Sequence, residues 1–164
     1  MAFLRFTALL ALAFWIGGLS AIGGLTATAL FEVLEARDPA GGREMAAVAF
    51  AEVFGRFQQA AWVAGAVVIA SLVARAALGP RPKRFGLRVW VSAGMLAASV
   101  SSVLVVAPAI ERARAAIAGP VASLAADDPQ RVAFGRWHAL SAGLMALTIA
   151  AGAGLIWSES TDRY

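Results

Sequence analysis

Charged residues are distributed along this chain so that four stretches contain none: Phe6 to Phe31, Phe57 to Ala74, Val89 to Ile110 and Trp137 to Ser158. A helix rises about 1.5 Å per residue and the hydrocarbon core of a bilayer is about 30 Å thick, so about 20 apolar residues cross it. The pattern predicts an all-α integral membrane protein, an antiparallel four-helix bundle forming one domain over residues 1–164. Its spans are expected at about 4–34, 56–78, 88–112 and 136–158.

The punctuation between the spans agrees with that layout. Asp38-Pro39-Ala40-Gly41-Gly42 ends the first helix, and a helical pattern resumes at Arg43. Glu52 and Arg56 lie one turn apart there, in an amphipathic segment that feeds directly into the second span. Leu78-Gly79-Pro80-Arg81-Pro82 stops the second helix, and Arg75 just inside it is read as snorkelling to the interface. Pro108 predicts a bend late in the third helix, which Gly119-Pro120 ends. Asp128 before Pro129 is an N-cap and first-turn signature for the fourth. Trp137 and Trp157 are about 30 Å apart along a helix, the separation of two interfacial anchors. Met1 to Arg5, the apolar run and Ala27-Thr28-Ala29 also look like a secretory signal, but the run is long for a signal core and is read as an uncleaved span.

Small residues recur at helical spacing, as Gly17, Ala21, Gly24 and Thr28 in the first span and Gly94, Ala98 and Ser102 in the third. Such faces allow close backbone approach, and here they are expected to pack the bundle's own helices, with a dimer seam as the alternative.

Composition strengthens the membrane reading. With 60% apolar and 15% charged residues, the chain has more apolar surface than a soluble domain of 164 residues buries, and lipid covers the remainder. The net charge of +4 comes from basic residues beside the spans, which suits anionic head groups and not nucleic acid. Arg75, Arg81, Lys83, Arg84 and Arg88 surround the second connection without one acid. The positive-inside rule therefore predicts that loop and both termini to be cytoplasmic, with a bacterial inner membrane as the expected location. The chain has no cysteine, which excludes disulfides, thiolate metal sites, iron-sulfur clusters and cysteine nucleophiles.

The antiparallel layout brings one set of helix ends together: Glu32 and Glu35; Glu52, Arg56, Gln58 and Gln59; Glu111 and Arg112; Arg136, His138 and Ser141. These residues suit a hydrogen-bond and ion-pair network closing one end of the bundle. The same imidazole and carboxylates suit binding a cation or passing a proton. His138 opens a span, where a tetrapyrrole or a divalent cation could be ligated; a lone histidine does not make either site, so no resident cofactor is expected and the sequence leaves a metal open. Paired Glu-x-x-His elements, a G-x-S-x-G elbow, an H-E-x-x-H helix and a phosphate-binding loop are all missing. Ser141 beside His138 lacks an orienting carboxylate, so no enzyme is expected.

Three short motifs carry a family likeness: Trp15-Ile16-Gly17-Gly18, Val106-Ala107-Pro108-Ala109-Ile110-Glu111 and Phe134-Gly135-Arg136-Trp137-His138-Ala139-Leu140-Ser141. On these the chain resembles, over nearly its whole length, the bacterial domain-of-unknown-function family related to transmembrane protein 205. The resemblance implies a four-span helical membrane protein and marks Trp15, Pro108, His138 and Ser141 as positions matching the family pattern; it implies no activity. The expected role is a non-enzymatic membrane scaffold or accessory subunit of a larger complex, partnered by the bilayer and other membrane subunits, with a homo-oligomer also open. The alternative is a small permease or cation- or proton-handling protein using Glu32, Glu52, Glu111 and His138.

Overall fold

The computed structural model describes residues 1–79 and 81–161. It contains four long helices: α1 (Ala2–Arg37), α2 (Gly42–Leu78), α3 (Phe85–Ala115) and α4 (Pro129–Thr161), all long and apolar enough to cross a membrane. With 31 to 37 residues each, they are about 46–56 Å long. Each packs on two neighbours, α1 on α2, α2 on α3, α3 on α4 and α4 back on α1, which closes an antiparallel ring. The protein is an integral membrane four-helix bundle.

Its centre is filled from all four helices by Leu12, Trp15 and Leu19, then Ala61, Ala64, Val68 and Leu72, with Met95 and Leu155. The buried positions of α4, Thr148, Gly152, Leu155 and Glu159, follow one helical stripe.

The helices outrun the spans expected from charge alone. α2 starts at Gly42, one residue before the expected resumption at Arg43, and its amphipathic segment runs into the span without a break. Between α1 and α2 the chain leaves the helix at Asp38, whose Oδ1 accepts the N–H groups of Ala40 and Gly41 at 3.0 and 3.1 Å. The Gly42 N–H donates to the Asp38 carbonyl at 2.7 Å. A Cβ at Gly42 would overlap the Leu34 carbonyl, which is backbone and cannot swing aside. Gly42→Ala should therefore cost about 1–3 kcal/mol in detergent unfolding. Gly135→Ala, in an open helical position with nothing within 4 Å of the new methyl, should be neutral or slightly stabilising. Equal effects would sink this account of the turn.

Just before Pro108, where a bend is expected, the helix widens over Ser102–Val106, and the Ala107 N–H reaches back five residues to the Ser102 carbonyl. The wide turn accommodates a ring that would clash with the preceding carbonyl in a regular helix. A second wide turn, Ala21–Thr26 in α1, has no proline in the sequence to mark it; there the Ala27 N–H bonds the Ile22 carbonyl. It brings Gly23 against α4, where a Cβ would lie 2.7 Å from the Met145 methyl. α3 stops at Ala115, before Gly119, whose φ of 100° lies in the left-handed region. Asp128 caps α4 as expected, its Oδ1 accepting the Gln130 N–H at 2.8 Å.

Candidate functional site

At one end of the bundle each helix contributes a charged residue to a single buried network. Glu159 of α4 lies between two guanidiniums: Arg75 Nη1 of α2 is 2.6 Å from Oε2, and Arg88 Nη1 of α3 is 2.7 Å from Oε1. Arg88 also donates to the Ser158 carbonyl at 3.1 Å, and Ser92 donates to the Arg88 carbonyl at 2.8 Å. Arg5 of α1 donates to the carbonyls of Glu159 and Ser160. Arg75, Arg88 and Glu159 are only 1%, 3% and 2% exposed.

Arginine supplies fixed charge and donors, so this arrangement is suited to holding four helices in register and not to relaying protons. It corrects the expectation that Arg75 snorkels outward. A carboxylate at its own level offers the guanidinium a closer partner than the head groups do. Two of the five basic residues around the second connection thus turn inward, while Arg81, Lys83 and Arg84 stay exposed. The charge pattern held the signal: the charge-free runs end at this level in Arg5, Arg75, Arg88 and Glu159, three cations and one acid.

A second polar group lies along α2. Gln58 is buried and accepts the Ser99 hydroxyl of α3 at 2.8 Å. The neighbouring Phe57 ring meets Phe14 at 5.6 Å and covers Gly18, where a Cβ would collide with it. Gly18 and Ser99 sit at the middle of the charge-free runs of α1 and α3, Phe6 to Phe31 and Val89 to Ile110. Phe57 and Gln58 therefore lie near mid-depth of the bundle and not at the mouth of a span. This corrects the placement of Glu52, Arg56 and Gln59 in a ring of helix ends. Arg56 stands about 3 Å and Glu52 about 9 Å of helix rise from Gln58.

Glu52 and Arg56 form an i,i+4 ion pair at 2.6 Å on the outside of the bundle, with side chains 64% and 78% exposed. A charged side chain presented to hydrocarbon at the centre of a helix costs about 2.5–3.5 kcal/mol on insertion scales. Near the aqueous end, other pairs complete the register of α2: Arg43 with Glu35 of α1 at 2.8 Å, and Glu44 with Arg114 of α3 at 2.7 Å.

The remaining residues singled out in the sequence stay apart from these groups. Glu32, Glu111, Arg136 and His138 are exposed and Ser141 is half-buried. The His138 ring stacks on Phe134, centroids 6.1 Å apart and planes 10° from parallel. Among the described residues, no three His, Asp or Glu side chains are grouped so as to hold a metal ion.

The small-residue face of α1 also departs from expectation. Gly17, Ala21, Gly24 and Thr28 are exposed, and nothing lies within 4 Å of a Cβ at Gly17 or Gly24. Leu12, Trp15 and Leu19 occupy the opposite side of the helix and take the interior. The Thr28 hydroxyl turns back to the Gly24 carbonyl at 2.7 Å, which leaves the outer face smooth and apolar. In α3, Gly94 is exposed and Ala98 half-buried, while Ser102 packs inside and donates to the Ala98 carbonyl at 2.9 Å. Trp15 is fully buried, and its indole N–H has no hydrogen-bond partner among the described residues.

Neither the curated proteins nor the solved structures include a match to this chain. A family model described as a domain of unknown function, DUF4149, matches residues 10–119. The matched segment holds most of α1, all of α2 and α3, and with them Trp15, Glu52, Arg56, Arg75, Arg88 and Pro108; it stops short of α4, which carries Glu159 and His138. The chain, which folds as a four-helix membrane bundle, belongs to the DUF4149 family, a domain of unknown function.

Proposed function

We propose that the protein is a non-enzymatic scaffold or accessory subunit of a larger membrane complex, in a bacterial inner membrane, and that its family is related to transmembrane protein 205. In this reading the Arg81, Lys83 and Arg84 loop and both termini face the cytoplasm, and no resident cofactor is needed.

The observation that carries the reading is the outward small-residue face of α1. In lipid, helix association gains little from apolar burial and depends on close backbone approach, which Gly17, Ala21 and Gly24 permit. Leu10, Phe14 and Leu25 around it are 59%, 49% and 74% exposed, enough to grip a second helix on either side. The four-helix network at Glu159 supports the same role, because it suits a rigid platform.

The test is purification from native membranes in mild detergent, with co-purifying proteins measured by mass spectrometry. Wild type should bring a stoichiometric membrane partner. Gly17→Leu combined with Gly24→Leu should lose that partner about tenfold or more, with an unchanged unfolding temperature because both positions are exposed and a Cβ at either meets nothing within 4 Å. A wild-type chain that elutes without a partner overturns the reading. The permease alternative draws on one observation, the mid-depth Glu52–Arg56 pair, and calls for flux by the purified chain in liposomes that Glu52→Gln removes.

A further inference from the structure

We propose that the outer face of α2 around Glu52 and Arg56 is the contact between two copies of this chain, an isologous dimer in which Glu52 of each copy pairs with Arg56 of the other. The inference stands independently of the proposed role, which uses the face of α1.

Depth is the first argument. The side chains next to Arg56 on α2, Phe57 and Gln58, pack against the midpoints of the apolar runs of α1 and α3. The ion pair is therefore level with the hydrocarbon that those runs cross, yet it points away from the bundle. The bond between them engages one atom of each group, and hydrocarbon satisfies none of the rest, so a polar surface outside this chain is favoured over lipid there.

The second argument is the pattern around the pair. Val48, Glu52, Arg56, Gln59 and Val63 recur at spacings of four, four, three and four residues and form one stripe. Val48 and Val63 at its two ends are 68% and 65% exposed. The stripe is thus apolar at both ends and polar in the middle, as a helix contact with a hydrogen-bonded centre would be. Gly55 beside it has open space where a Cβ would stand, which lets a second helix come close.

Charge complementarity selects the occupant. Two copies inserted the same way and related by a two-fold axis along the membrane normal meet at equal depth. Each offers one anion and one cation a single turn apart, within reach of a long guanidinium side chain. The bond within the chain joins only Nε of Arg56 to Oε1 of Glu52. That leaves the two terminal nitrogens and Oε2 for the neighbour, on side chains 78% and 64% exposed. Gln59 faces its own counterpart, and an amide both donates and accepts. The face therefore complements itself with no other polar group required.

The chain contains no cysteine, so single introduced cysteines report position cleanly. Val48→Cys and Val63→Cys should each form a disulfide-linked dimer when native membranes holding the full chain are oxidised. Leu147→Cys, 65% exposed on α4, should not. In the Val48→Cys background, Glu52→Arg or Arg56→Glu alone should cut cross-linking by about tenfold or more. The double exchange E52R/R56E, or co-expression of the two single variants, should restore it, which a mere folding defect would not allow. The proposal is overturned if the α2 cysteines cross-link no better than Leu147→Cys. It is equally overturned if neither charge change has an effect, or if a membrane-impermeant maleimide labels the α2 cysteines freely, since that would reveal a water-filled path instead of a second chain.

Discussion

Glu159→Ala is expected to lower the stability of the bundle by about 3–5 kcal/mol, the largest effect of any single charge change in this protein. The carboxylate is shared at 2.6 and 2.7 Å by Arg75 and Arg88, and all three side chains are almost fully buried. Removing the acid takes from both guanidiniums the carboxylate that they share. The cost includes keeping two buried cations without the carboxylate they share, and not only the lost attraction. Glu159→Gln keeps an acceptor but not the charge, and should fall between Glu159→Ala and wild type.

A third variant separates breaking the pair from lacking it. Replacing Arg75, Arg88 and Glu159 together with methionine, methionine and leucine should recover most of the loss, because no buried charge remains to be compensated. The measurement is thermal or denaturant unfolding of the purified chain in one detergent. A Glu159→Ala chain within about 0.5 kcal/mol of wild type would mean that the network contributes nothing to the fold. Recovery in the triple variant would show that the network sets the arrangement of the helices more than it adds net stability.

Trp15→Ala should cost a similar amount, about 3–5 kcal/mol, by a different route. The indole is completely buried, with its six-membered ring so close to α2 that a Cβ at Gly65 would sit 2.9 Å from Cζ3. Truncation leaves a cavity lined by helices that the Glu159 network holds in place, so collapse cannot fill it. Trp15→Phe provides the contrast. It removes part of the ring but also a buried N–H that finds no acceptor, and the two terms oppose each other. Its cost should stay below about 1.5 kcal/mol. If Trp15→Phe proves as damaging as Trp15→Ala, then the N–H is matched in a way this geometry does not provide, and packing is not the whole role of the residue.

The two variants bear on legibility from opposite sides. Trp15 was marked in the sequence by its place in Trp15-Ile16-Gly17-Gly18, and the structure makes it the central core residue of α1. Glu159 carries no mark in the sequence beyond being the first charge after an apolar run. No local pattern pairs an acid with basic residues 71 and 84 positions away. His138 drew attention as the lone imidazole, yet it stands exposed on the outside of α4 against Phe134.

The four helices, their antiparallel order and their membrane setting follow from the sequence by itself. Charge-free length and the breaks at Asp38-Pro39, Leu78-Gly79 and Asp128-Pro129 act on each segment separately, and helix geometry and bilayer thickness do not depend on the neighbours. Which side of each helix turns inward, and how far α2 slides along α1 and α3, was decided only by the tertiary structure. A bilayer is as apolar as the bundle interior, so hydrophobic periodicity gives little guidance to facing; α1 places leucine and tryptophan inside and glycine outside. The slide of α2 is set by Phe57 over Gly18, by Gln58 with Ser99 and by Glu44 with Arg114. Those contacts bring Arg56 close to the mid-depth of the bundle and leave Glu52 about 9 Å of helix rise from Gln58 towards the Arg43 end.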